Sequence, residues 1–147
     1  MIDIDKLIKE AMLEKNSAKK EAYRAIKAEL LLIQTGSKGQ KARPVDETDV
    51  VKVVRKLLKE RDEQVSMYDA NSRKDLADMY REQIIYLKEL LPPEISEDKI
   101  QEAVMTAYPN GFTQKEMGKV IKQVKEIYPT ADGKLISEVV KNILSNF

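Results

Sequence analysis

Apolar positions recur every three or four residues along most of this chain. That is the period of an amphipathic helix, not the alternation of a half-buried strand. Ile4, Leu7, Ile8 and Met12 predict a first helix over about residues 3–15. Ala22, Tyr23, Ile26, Leu30 and Ile33 predict a second, with Ala25 and Ala28 raising helix propensity. It stops at Gly36-Ser37-Lys38-Gly39, a basic loop that runs to Pro44. Asp46, Glu47 and Asp49 load the first turn of a third helix, where negative charge complements the macrodipole. Its stripe is Val50, Val53, Val54, Leu57, Leu58, Val65 and Tyr68, ending near residue 69. The Val50–Val54 stretch is β-branched, yet it lies inside this longer helical pattern, so helix is expected there too. Asn71-Ser72 breaks the helix. Ser72 with Asp75 then predicts a capping box for a fourth helix bearing Leu76, Met79, Tyr80, Ile84, Leu87 and Leu91.

Pro92-Pro93 ends that helix, because proline lacks a backbone donor and disfavours helix just before it. Three shorter helices are expected beyond it. Ser96 caps one with Ile100, Ala103, Val104 and Ala107, and Pro109-Asn110-Gly111 makes a turn. Thr113 and Glu116 make a capping box for one with Met117, Val120, Ile121, Val124 and Ile127, which Pro129 closes. Asp132-Gly133 opens the last, with Leu135, Ile136, Val139, Val140, Ile143 and Leu144. The expectation is an all-α chain: a helical N-terminal domain of about four helices over 1–91, a Pro92-Pro93 hinge, and a three-helix bundle over 94–147.

Composition narrows the chemistry. The 147 residues include no Cys and no His, so thiolate nucleophiles, disulfides, zinc–sulfur sites and imidazole proton transfer are excluded. A catalytic site would need Ser or Thr with a Lys or carboxylate. Ser17-Ala18-Lys19-Lys20 has the Ser-x-x-Lys spacing, but so do many helix starts, and no catalytic residue is assigned. Gly36-Ser37-Lys38-Gly39 lacks the spacing of a phosphate-binding loop and follows no strand. The acidic cluster Asp46-Glu47-Thr48-Asp49 is explained as a helix first turn. No metal, cofactor or small-molecule substrate is therefore expected. No apolar run approaches the roughly 20 residues of a membrane span, and Met1-Ile2-Asp3-Ile4-Asp5 has no signal-peptide character. A cytoplasmic location and no membrane partner are expected.

Net charge is +1, so only local clustering can select a partner. Between residues 15 and 43, Lys15, Lys19, Lys20, Arg24, Lys27, Lys38, Lys41 and Arg43 face only Glu21 and Glu29. Lys20, Arg24 and Lys27 share one helix face. Such a face suits phosphate contact; the alternative is a solvated face pairing with the acidic third helix. A weaker stripe, Lys115, Lys119, Lys122 and Lys125, lies near the middle helix of the C-terminal part. Gly118 stands inside it at a cost of about 1 kcal/mol relative to Ala, which predicts a close approach to its backbone, by a neighbouring helix or something else.

These residues also fall in a known pattern. Leu91-Pro92, Ser96-Glu97-Asp98-x-Ile100, Glu116-Met117-Gly118-Lys119-Val120 and Ala131-Asp132-Gly133-Lys134, in that order, resemble the GatB/YqeY family. Arg24-Ala25-Ile26-Lys27-Ala28-Glu29, Leu58-Lys59-Glu60-Arg61 and Arg73-x-Asp75-Leu76-Ala77 extend the likeness upstream, to the stand-alone YqeY-like branch. The resemblance implies a three-helix tail shared with the B subunit of the tRNA-dependent amidotransferase, where the tail helps to hold tRNA and catalysis lies elsewhere. By carry-over, Met117, Gly118, Lys119, Ala131, Asp132, Gly133 and Lys134 are the motif positions; packing and capping account for Met117, Ala131 and Asp132, and Lys119 and Lys134 are the candidates for tRNA contact. Where relatives commonly carry a Gly- and Lys-rich turn, this chain has Ile127-Tyr128-Pro129-Thr130 and fewer positive charges. The expected function is a non-catalytic tRNA-binding accessory protein acting through Lys20, Arg24, Lys27, Lys115, Lys119, Lys122 and Lys134. Two alternatives stand beside it: an accessory part of a glutamine-dependent carbon–nitrogen ligase active only with amidotransferase or aminoacyl-tRNA partners, and a helical protein–protein adaptor.

Overall fold

Asp3 opens the first helix: its backbone is extended and its carboxylate accepts the Lys6 N–H. This satisfies one of the donors that a helix start leaves unpaired. The structure is a computed structural model describing residues 2–37 and 39–146, so Lys38 of the predicted basic loop lies outside the described residues. Among the described residues every regular element is helical: α1 (Ile4–Leu13), α2 (Ser17–Thr35), α3 (Glu47–Ala70), α4 (Lys74–Glu89), α5 (Glu97–Ala107), a 3-10 turn (Gln114–Glu116), α6 (Met117–Ile127) and α7 (Gly133–Ser145). The all-α expectation holds, including the β-branched start of α3. No helix is long and apolar enough to cross a membrane among the described residues.

The chain divides into two compact units, Met1–Leu91 and Pro92–Phe147. In the first, the buried side of α2 (Ala22, Tyr23, Ile26, Leu30) packs with Ala11 of α1, Val50, Val53, Val54 and Leu57 of α3, and Leu87 of α4. Alanines at 11 and 22 are fully buried, which fits two helices in close approach. This core ends at Leu57 although α3 runs on to Ala70. The distal parts of α3 and α4 are joined instead by an Arg61–Gln83 hydrogen bond of 3.0 Å, parallel stacking of Tyr68 on Tyr80 at 5.8 Å, and an Arg81–Asp69 ion pair.

Both helical hairpins of this unit turn without glycine. Lys15 and Ser72 adopt φ near 57°, a left-handed conformation that non-glycine residues rarely take. After each, the chain closes the helix with paired backbone bonds: Asn16 N–H to Ala11 and Lys15 N–H to Met12, then Arg73 N–H to Tyr68 and Ser72 N–H to Asp69. This overturns the capping box predicted from Ser72 and Asp75. Ser72 finishes α3 instead of starting α4, and α4 begins after Arg73 with no side-chain cap. The Asp75 carboxylate is engaged by the Arg73 guanidinium at 3.3 Å.

The α2–α3 connection is fixed by two features. Gly36 has φ +80°, and a Cβ there would meet the Ala42 backbone nitrogen at 2.8 Å. Arg43 grips the Asp49 carboxylate through both terminal nitrogens, at 2.7 and 2.5 Å. Asp49 is buried, and it also completes a reciprocal capping box with Asp46. The Arg43 hydrogen bonds hold its carboxyl well below the usual range, at about 2.

Two outcomes follow. Gly36→Ala combines a disfavoured backbone with a main-chain clash, so it should destabilise the first unit by roughly 3 kcal/mol, measured as a lower denaturant midpoint at unchanged slope. The Asp49 carboxyl is depressed in the folded state, so its contribution is complete above its unfolded value near 4 and is lost as pH falls toward 2. In the wild type, stability should drop by about 2 kcal/mol across that window on account of this group. Asp49→Asn should flatten that part of the stability–pH curve and lower the plateau above it.

Candidate nucleic-acid interface

The second unit is organised around two valines. Val120 and Val124, one helical turn apart, are buried with Ile100 and Val104 of α5 and Ile136, Val139, Val140 and Ile143 of α7. Phe112 and Ala131 close the core at the two loops. Tyr108 meets the Phe112 ring edge-on at 5.7 Å, and its hydroxyl donates to Gln123 at 2.6 Å. With that side of α6 committed to the core, Lys119, Lys122 and Lys125 are left exposed, as is Lys115 in the preceding 3-10 turn.

The helix starts behave as predicted. Ser96 Oγ accepts the Lys99 N–H. Thr113 and Glu116 form their reciprocal box: the Glu116 carboxylate accepts the Thr113 N–H at 3.0 Å and its hydroxyl at 3.1 Å. Those bonds hold the Glu116 carboxyl below its usual range. Asp132 caps α7 by accepting the Lys134 N–H at 3.0 Å. Met117 is half-buried against the core, so Met117 and Asp132 serve packing and capping.

The structure draws the two motif stretches together through Lys125, which the site expected from sequence leaves out. A Cβ built on Gly133 would lie 3.4 Å from Lys125 Cε and 3.5 Å from its Nζ. The Lys125 side chain therefore lies along the start of α7, beside exposed Lys134. The sequence signal was its place three residues after Lys122. Glu97, Asp98 and Glu102 lie on α5, while Glu116, Glu126 and Asp132 stand near the lysines in sequence, Glu116 and Asp132 being engaged in caps. Among the described residues, no carboxylate lies within ion-pair distance of Lys115, Lys119, Lys122, Lys125 or Lys134.

The basic row on α2 has a different fate. Lys27 Nζ is 2.6 Å from Asp5 of α1, Lys19 is 3.1 Å from Glu14, and Arg24 is 3.8 Å from Glu21. Glu29 takes Lys56 of α3 at 2.9 Å. Lys20 is half-buried at the edge of a shallow recess of about 200 Å³ that it lines with exposed Met12, Lys15 and Ser17. Lys20, Arg24 and Lys27 do lie along one helix, but Lys27 pairs with α1, not with the acidic third helix. Pro92 is half-buried and Pro93 exposed, in the irregular stretch between α4 and α5.

The Gly118 expectation needs correction in one respect. Apart from its own helix and chain neighbours, nothing among the described residues comes within 4 Å of a Cβ built there. Among the described residues there is also no group of three or more acidic side chains arranged to hold a metal ion. The Asp46–Asp49 cluster is engaged in capping and in the Arg43 bridge.

The chain is thus all-helical and divides into two small units, with lysines along one helix of the second that have no carboxylate within ion-pair distance among the described residues. The family model described as Yqey-like protein matches residues 2–144, and the chain belongs to that family. No curated protein matches the sequence. One outcome tests the local account: Asp132→Ala removes the α7 cap and should cost about 1 kcal/mol. Amide exchange in α7 should then quicken about fivefold, with α2 unaffected.

Proposed function

We propose that this protein binds tRNA, or an assembly containing it, in the cytoplasm, as an accessory factor with no catalytic residue of its own. The observation carrying this reading is the contrast between its two basic rows. Three lysines on α2 and α3 are tied to carboxylates of another segment: Lys27 to Asp5, Lys19 to Glu14, Lys56 to Glu29. Lys115, Lys119, Lys122 and Lys134 are exposed and have no carboxylate partner among the described residues. An internal pair must be broken before a cation can serve a phosphate, whereas an unpaired one gives up only water and counterions. The second unit therefore carries the docking face, with Lys20 and Arg24 as supplementary contacts. Family membership adds the association with a tRNA-dependent amidotransferase tail that the motif resemblance implies.

The test is a titration of the full chain with tRNA, followed by fluorescence anisotropy at several salt concentrations, with duplex DNA as control. Saturable binding that prefers tRNA is expected, weakening as salt rises. A Lys119→Glu, Lys134→Glu variant should lose most of that affinity, and the salt dependence should flatten by about one per phosphate contact removed. Equal, weak binding to both polymers, unchanged in the variant, would overturn the reading in favour of a helical protein–protein adaptor.

A further inference from the structure

Among the described residues nothing in the packing or backbone conformation calls for a glycine at 118. Glycine is tolerated in helices mainly for a left-handed φ or for a close neighbour that a Cβ would strike. Neither applies. Gly118 is helical, it is not among the positive-φ glycines, and nothing among the described residues beyond its own helix and chain neighbours lies within 4 Å of a Cβ there. It is exposed, and it sits inside the continuous helical run of the 3-10 turn Gln114–Glu116 and α6. At such a position almost any other residue would make a better helix.

The same side of the helix carries Lys115, Lys122 and Lys125, at i−3, i+4 and i+7 from Gly118, all exposed. Lys119 borders this row, and two acidic residues stand near it: Glu126, and Glu116, whose carboxylate is engaged by Thr113 and also feels the charge of Lys119. Ten residues of helix separate Lys115 from Lys125, a row roughly 15 Å long. It is a bare stretch of main chain set among cations that have no ion-pair partner among the described residues. We infer that Gly118 is the point of closest approach of an RNA sugar–phosphate backbone, which lies against the α6 main chain while Lys115, Lys122 and Lys125 engage its phosphates. This deepens the tRNA-binding reading and rests on it. What it adds is a contact by shape: the lysines supply a charge field that any polyanion could use, while the missing side chain sets how near the strand can come.

Shape and stability then pull in opposite directions at one residue, which makes the inference testable. Gly118→Ala and Gly118→Leu are prepared in the full chain, with Thr106→Ala on α5 as a helix-stabilising control away from the face. Melting temperature and tRNA affinity are measured for each. Gly118→Ala should melt higher, by roughly 5 °C, yet bind tRNA about fivefold more weakly. Gly118→Leu should bind more weakly still, and Thr106→Ala should bind like the wild type. A more stable Gly118→Ala that binds tRNA as tightly as the wild type would overturn the inference and leave the tRNA reading standing. If the wild type itself shows no saturable tRNA binding, the tRNA reading fails, and this inference with it. If Gly118→Leu keeps tRNA affinity but loses a co-purifying protein, the occupant is a polypeptide, and the RNA assignment is wrong.

Discussion

The packing of Val120 and Val124 against Ile136, Val139 and Val140 fixes the rotation of α6, and the surface chemistry of the second unit depends on that rotation. The helix has one narrow apolar stripe, so only one orientation buries it. Burying each valine contributes on the order of 1.5–3 kcal/mol relative to leaving it in water. Turning α6 to hide its lysines would forfeit that and would bury several unpaired charges. The lysine row is thus held outward by the core beneath it. Asp132 and the Thr113–Glu116 box position the starts of the adjoining helical segments, and the close passage of Lys125 over Gly133 joins the row to Lys134.

In the first unit the same residue types do other work. Asp5, Glu14 and Glu29 take up Lys27, Lys19 and Lys56, and Asp49 takes up Arg43. Exposed pairs of this kind add little to stability, but each lowers the availability of a cation for an outside phosphate. The buried Asp49 is the exception in energy. Its bridge and its cap are made together, so the loop after Gly36 and the start of α3 are fixed as one piece. The two units thus differ in one respect: Lys19, Lys27, Lys56 and Arg43 tie segments of the first together, while the lysines of α6 have no carboxylate within ion-pair distance among the described residues.

Much of the fold was legible because its apolar stripes are the surfaces that pack. Ile26, Val54, Leu87, Ile100, Val120 and Ile136 are all predicted stripe positions and are all essentially inaccessible. Caps at Ser96, Thr113 and Asp132 were legible because capping is decided within four residues. Ser72 was not, since Ser-x-x-Asp fits a helix start equally well, and the left-handed turn that ends α3 is set by how α4 folds back. The basic face of α2 was legible as a row but not as an ion-paired one. Asp5 lies 22 residues from Lys27, a relation that only the α1–α2 packing creates. Lys125 was visible in the row, while its place beside Gly133 comes from α6 meeting α7. The open surface at Gly118 could not be told from a packed one by sequence.

The proposed RNA contact falls on the exposed face of α6 and the start of α7. Mapping amide chemical-shift changes on the isotope-labelled full chain during a tRNA titration tests it most directly. Changes should concentrate at Lys115, Gly118, Lys119, Lys122, Lys125 and Lys134, with the ion-paired face of α2 changing less. Changes centred on α2, or spread evenly over every lysine of the chain, would contradict it.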